Sequence, residues 1–322
     1  LLKYTVSLHK GKKCRMISVV IPVYRSAGSL TELHQRILAV MSSIRDDDYE
    51  IILVDDGSDD QSWETICQLA RIDMHVRGIR LARNYGQHNA ILCGIRHARQ
   101  DLIVIMDDDL QNPPEEIPKL LNELNKGFDV VYGKPAKEQH SLLRNWSSKL
   151  TKIVLKSIMG AETAEKVGPF KIFRTSLRNS FETFKAPYVN IDVLLTWGTV
   201  RFSGVTVEHS SRKTGSSNYT LSKLIAHAFN LMTGFSTVPL QVASIIGFFL
   251  AFFGFIVLIF VLINYLYEGR AVPGFAFLAS LIAIFSGAQM FATGVIGEYL
   301  ARIHFRTMDK PSYIAVDYTA TS

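Results

Sequence analysis

Three consecutive acids, Asp107, Asp108 and Asp109, follow the apolar run Leu102–Ile105 and Met106. A short run of branched residues reads as a strand buried on both faces, as in a parallel sheet covered by helices. Such sheets bind ligands just beyond the carboxyl ends of their strands. If the backbone stays extended, Asp107 and Asp109 point the same way. Two hard oxygen ligands there suit Mg2+ or Mn2+ carrying the phosphates of a nucleotide. The competing reading is a solvated acidic turn before a helix started by Pro113 and Pro114. A second acidic group, Asp55-Asp56-Gly57-Ser58-Asp59-Asp60, ends the apolar run Glu50–Val54. A carboxylate there can accept hydrogen bonds from a base N–H or a ribose hydroxyl, while Ser58, Asp59 or Asp60 can cap the next helix.

The elements that must position these acids alternate regularly. Ile17–Tyr24 reads as a strand. Ser29–Ile44 has helical spacing, with Leu30, Leu33, Ile37, Val40, Met41 and Ile44 on one side. Helix Ser62–Arg71, strand Gly78–Leu81 and helix Gln87–Arg99 follow, and the Leu102 strand closes this half. Strand, turn and helix repeated in this way predict a doubly wound α/β unit. No G-x-G-x-x-G opens a helix and no P-loop is present. A nucleotide must therefore be held by acids and a metal.

The chain has 322 residues and a net charge of +6. That charge admits nucleic acid, an anionic membrane or a phosphorylated substrate as partners. The cations cluster beside apolar segments and no recognition motif is present, so nucleic acid is not expected. Cys14, Cys67 and Cys93 offer neither a disulfide framework nor a C-x-x-C site, which fits a reducing compartment. Residues 1–16 read as a basic extension and not as a signal peptide.

Mean hydropathy is +0.16, and the apolar excess sits in the last quarter. No charge interrupts Val242–Ile263 or Val272–Gly297. Each run is long enough to cross a hydrocarbon core of roughly 30 Å, and the second is rich in the small residues that let helices pack closely. The expected spans are 240–265 and 272–298. Residues 141–160 combine an apolar side containing Trp146 with a purely basic polar side, the pattern of a helix lying in a membrane interface. Residues 219–235 form a second amphipathic candidate. Arg212, Lys213 and Lys223 precede the spans, and Arg302, His304, Arg306 and Lys310 follow them. The positive-inside rule therefore puts residues 17–218, the tail 299–322 and both termini in the cytoplasm.

Pro22-Val23-Tyr24, Val54–Asp60, Arg83–Ile91 and Met106–Pro118 together make the first half resemble inverting glycosyltransferases of the GT-A fold. The C-terminal spans and R-x-x-G-x-S-x-Y at Arg212–Tyr219 narrow the resemblance to polyprenyl-phosphate glycosyltransferases, which load a sugar from a nucleotide donor onto a lipid phosphate. It implies that Pro22, Tyr24, Asp55, Asp56, Arg83, Asp107 and Asp108 surround the nucleotide of a UDP-sugar. Asp109 would be the main ligand of Mg2+ or Mn2+, with Asp107 assisting and Gln111 lining the donor site. Arg212 would hold a phosphate, with Gly215, Ser217 and Tyr219 shaping its loop.

Two departures from the family pattern stand out. Arg25-Ser26 replaces the usual Asn-Glu after Tyr24. Lys166, with Glu165 beside it, stands where many relatives carry an acid before Gly168-Pro169-Phe170-Lys171. Either Glu165 substitutes for that acid, or no protein base is needed. A phosphate acceptor is largely a dianion at neutral pH, its second pKa being ≈ 6. It needs positioning and charge balance more than deprotonation, and Lys166 can supply the balance or be a solvated lysine. The expected partners are a nucleotide-sugar, undecaprenyl phosphate, the bilayer and further copies of the chain. A processive polysaccharide synthase or a non-catalytic, nucleotide-binding membrane accessory are the rival readings.

Overall fold

A computed structural model describes residues 16–44, 49–135, 155–156, 158–209, 229–268 and 274–319. Strands β1 (Ile17–Val23), β2 (Tyr49–Asp55), β3 (Val76–Leu81) and β4 (Leu102–Ile105) are joined by helices α1 (Ala27–Ile44), α2 (Ser62–Ile72) and α3 (Gln87–His97). The strand α4 (Ile117–Leu124) leads into is β5 (Val130–Pro135), followed by β6 (Lys171–Arg174) and β7 (Phe202–Val207). All belong to one sheet, ordered β7-β5-β6-β4-β1-β2-β3 and then the tail strand β8 (Ala315–Tyr318). Strands β1, β2, β3 and β4 pair in parallel, whereas β6 and β8 run against their neighbours.

Period-two alternation divides the strand side chains between two apolar layers. Val19, Ile21, Ile51, Leu53 and Val104 pack under α1, α2 and α4. Val20, Ile52, Val54, Ile103 and Ile105 pack under α3 and the helix Ile191–Thr196. The expected buried side of α1 is borne out at Leu30, Leu33, Ile37, Val40 and Met41, while Ile44 at its end is only partly buried. Burying each such side chain is worth about 1.5–3 kcal/mol, so the strand ends are carried on a stiff scaffold.

Helices Val238–Glu268 and Phe275–Thr307 extend beyond this scaffold. Among the described residues one helix, Val238–Asn264, is long and apolar enough to cross a membrane, and its most apolar stretch is not buried inside the protein. The second helix packs on it, where Phe285 Cζ would lie 3.2 Å from a Cβ at Gly254. It also presents Leu278, Ile282, Ile284, Met290 and Phe291 on its surface. The expected tail 299–322 divides differently. The helix continues to Thr307, and the chain then returns to the sheet as β8. Alternation over four residues is too short a signal to announce such a strand in advance. The expected interfacial helix 141–160 lies largely outside the described residues. Of 219–235, residues 229–235 are helical, with Leu231 and Thr233 buried.

Candidate functional site

Strand order reverses between β1 and β4, because β2 and β3 build outward on one side of β1 and β4 on the other. Open α/β sheets bind ligands at such a switch point. Four loops converge there, following β1, β2, β3 and β4. Carboxylates and small residues lock them together.

Asp56 is buried, and both its oxygens accept backbone N–H groups, from Tyr85 at 2.7 Å and Gly86 at 2.8 Å. Burial pushes its pKa up from 3.8 to about 6, against those two hydrogen bonds. Gly57 completes the clamp. Its φ is +70°, and a Cβ there would stand 2.5 Å from the Arg83 carbonyl carbon, so the loops meet backbone to backbone. Arg25, itself at φ 55°, forms a two-pronged ion pair with Asp59, both contacts being 2.6 Å. The Arg25 and Ser26 amides donate to the Ser58 and Ser62 hydroxyls at 3.0 and 2.9 Å. Asp60 accepts from the Ser62 amide at 3.1 Å. The departure at Arg25-Ser26 thus makes a local joint between the loops after β1 and β2.

Asp55 is fully buried. One oxygen accepts the Ser58 amide at 3.1 Å, while Oδ2 has no hydrogen-bond partner among the described residues and lies 3.5 Å from Arg80 Nε. Burial raises its pKa. A cavity of about 410 Å³ opens beside these loops, lined by Gly57, Ser58, Arg80 and Arg83 and by Val316 and Asp317 of the tail. Arg83 is exposed, its guanidinium 4.8 Å from the centre of the Tyr85 ring. Pro22 is buried at the end of β1, and Tyr24 is exposed beyond it.

The acid triplet does not keep the extended backbone that alternation assumed. The strand ends at Ile105, residues 108–109 form a turn, and Leu110 takes φ 60°. The three carboxylates therefore separate by hydrogen bonding and not by sheet face. Asp107 Oδ1 accepts from Gln87 Nε2 at 2.6 Å, Asp108 Oδ2 from the Tyr24 amide at 3.1 Å, and Asp109 Oδ1 from the Gln111 amide at 3.1 Å. Burial raises the pKa of Asp108. Ser29 Oγ donates to the Asp108 carbonyl at 2.6 Å and pins the turn to α1. Gln87 was not singled out from the sequence. The Gln-His-Asn opening of α3, directly after a glycine, was the available signal.

Asp107 and Asp109 are partly exposed at this mouth. No group of three ligating side chains occurs among the described residues. Two hard carboxylates suit a small divalent cation that keeps water and phosphate oxygens in its other positions. The donor set thus fits a cation that arrives with a diphosphate.

Lys166 Nζ contacts Glu162 at 2.7 Å and the Phe202 carbonyl at 3.2 Å, and Glu165 pairs with Lys156 at 2.8 Å. Both groups are engaged locally. Lys171 of the same motif is buried and pairs with Asp192, which also accepts from the Tyr132 hydroxyl at 3.1 Å. Arg212, Gly215, Ser217 and Tyr219 lie outside the described residues. A second cavity, of about 530 Å³, sits where the two long helices meet the domain.

Residues 18–183 match the family described as glycosyl transferase family 2. An undecaprenyl-phosphate 4-deoxy-4-formamido-L-arabinose transferase of Shewanella sediminis is 38% identical over 304 residues, covering 94% of this chain and 92% of the relative. The protein of that name from Photorhabdus laumondii is 35% identical, covering 94% of each. Among solved structures, glucosyl-3-phosphoglycerate synthase from Mycobacterium tuberculosis with Mn2+, UDP and glucosyl-3-phosphoglycerate superposes with a TM-score of 0.51. It is 16% identical and covers 68% of this chain and 78% of its own, a likeness of fold.

Proposed function

The chain belongs to glycosyl transferase family 2, and from that membership we propose that it moves a sugar from a nucleotide donor to undecaprenyl phosphate with inversion. Asp107 and Asp109 meet the interlocked loops after β1, β2 and β3 at the point where strand order reverses. That meeting carries the reading, in a chain alike along 94% of its length to transferases named for undecaprenyl phosphate.

The donor is a UDP-sugar. Its nucleoside end lies against Pro22, Tyr24, Asp55 and Arg83, beside the cavity floored by Gly57 and Ser58. Asp109, with Asp107, would hold the divalent cation. Mg2+ or Mn2+ supplies charge neutralisation of the leaving diphosphate. Gln111 lines the sugar. Asp56 and Asp108 act through the backbone, by keeping the loops after β3 and β1 in place. Arg212, within a Gly215-x-Ser217-x-Tyr219 loop, offers a guanidinium that recognises phosphate in two-pronged fashion.

The acceptor phosphate needs no protein base, because it is largely ionised at neutral pH. The local pairing of Lys166 and Glu165 supports that reading. Helices Val238–Glu268 and Phe275–Thr307 form a membrane hairpin, and β8 argues for its topology. The chain enters the first helix from residues packed on the domain and rejoins the same sheet after the second. Both ends therefore lie on the domain's side of the bilayer, the cytoplasmic side by the positive-inside rule.

Purified protein in lipid nanodiscs, given undecaprenyl phosphate and radiolabelled UDP-sugars, tests this. Label entering the organic phase from one donor is expected. Intact protein that labels lipid from none of them overturns the reading.

A further inference from the structure

The second cavity has a lining of unusual chemistry. Among the described residues its lining includes Lys185, Arg302 and Arg306 and no carboxylate, and its walls are aromatic, among them Phe184, Tyr188 and Trp197. Cations set in an aromatic surface suit an anion that carries a hydrocarbon.

Arg302 is mounted as a binding group. Its guanidinium is steered by Glu298 at 2.8 Å and Asn230 at 3.1 Å, and it stacks 4.9 Å from the centre of the Tyr188 ring. Its Nε is buried without a hydrogen-bond partner among the described residues. Leaving such a donor unmet costs about 1–3 kcal/mol, and an oxyanion at the guanidinium edge would satisfy it after a small rotation. Arg306 lies four residues on, hence on the same helix face. It is exposed and makes no ion pair among the described residues.

Position agrees with composition. One wall is the end of the helix Phe275–Thr307, and another is Thr233–Thr237, leading into Val238–Glu268. The opposite wall, Ala186–Tyr188, is tied to the first turn of α3, since Asn89 Nδ2 donates to the Pro187 carbonyl at 3.0 Å. Two residues earlier on that turn, Gln87 holds Asp107. The cavity therefore bridges the base of the apolar helices and the acid cluster.

We propose that this cavity seats the phosphate and first isoprene units of a polyprenyl phosphate, with Arg302 and Arg306 as phosphate ligands. The assignment rests on the transferase reading and adds two acceptor-binding residues to it. A phospholipid headgroup or free phosphate shares the anionic part, but not the branched hydrocarbon that the aromatic walls contact.

The test uses the full chain in nanodiscs and a polyprenyl phosphate carrying a diazirine near its head. Cross-links to Phe184–Tyr188 or Tyr299–Arg306 are expected, displaced by undecaprenyl phosphate but not by phosphatidylglycerol or inorganic phosphate. Arg302→Lys and Arg306→Ala should each weaken labelling and raise KM for undecaprenyl phosphate about tenfold, with UDP affinity unchanged. Retained UDP binding shows that the variants are folded. Cross-links elsewhere, equal displacement by phosphatidylglycerol or phosphate, or an unchanged KM in both variants overturns the assignment. Should the wild type transfer no sugar, the transferase reading fails while the cross-linking pattern still decides the cavity.

Discussion

The backbone N–H of Tyr24 donates to Asp108 Oδ2 at 3.1 Å, across the point where strand order reverses between β1 and β4. The middle acid of the triplet is thus a tie between two loops. Asp108→Ala should cost about 0.5–1.5 kcal/mol by removing that hydrogen bond. Donor KM should rise more than kcat falls. Thermal unfolding and steady-state kinetics on one preparation check both.

Asp109→Ala should behave in the opposite way. Transfer is lost while the unfolding temperature stays within about a degree or two of the wild type, as for a partly exposed side chain. Mn2+ titration followed by electron paramagnetic resonance, with UDP present, should show weakened cation binding independently of turnover.

Asp56 gives the fold a pH signature. Its folded pKa, about 6, is above the ordinary 3.8 because of burial. The stability it contributes is therefore fully present below pH 3.8 and is lost as pH rises through about 6. Relative to Asp56→Asn, the wild type should lose up to about 3 kcal/mol of unfolding free energy between pH 4 and pH 6. Denaturant curves across that window measure it.

Gly78 faces the returning tail. A Cβ there would lie 2.4 Å from Ile66 Cγ2 and 2.7 Å from Thr319 Cγ2. Gly78→Ala should loosen β8 and cost about 1–3 kcal/mol through overpacking. Limited proteolysis should then cut within residues 312–322 sooner than in the wild type.

Lys171 and Asp192 form an ion pair almost wholly inside the core. Asp192→Ala strands a buried ammonium and should destabilise by about 3–5 kcal/mol, whereas Lys171→Met combined with Asp192→Leu should cost less. Chemical denaturation of the three proteins compares them.

The alternation of strands and helices, the buried side of α1 and the two acid-rich strand ends were all legible in the residue order. Each depends on neighbours within a few positions, where periodicity and turn chemistry act. Membership of a sugar-transferring family was legible too, in short motifs whose spacing survives in one dimension. The division of labour among the acids was not. Asp56 and Asp108 look no different from Asp107 and Asp109 until the loops holding Tyr85, Gly86 and Tyr24 are brought against them. The extended geometry expected for the triplet failed because Ile105 ends the strand and a turn follows. Strand β8 was hidden for the same reason as the cavity at Arg302. Both join residues more than a hundred positions apart, Gly78 to Thr319 and Tyr188 to Arg302. Such contacts are settled by packing, which no local pattern encodes.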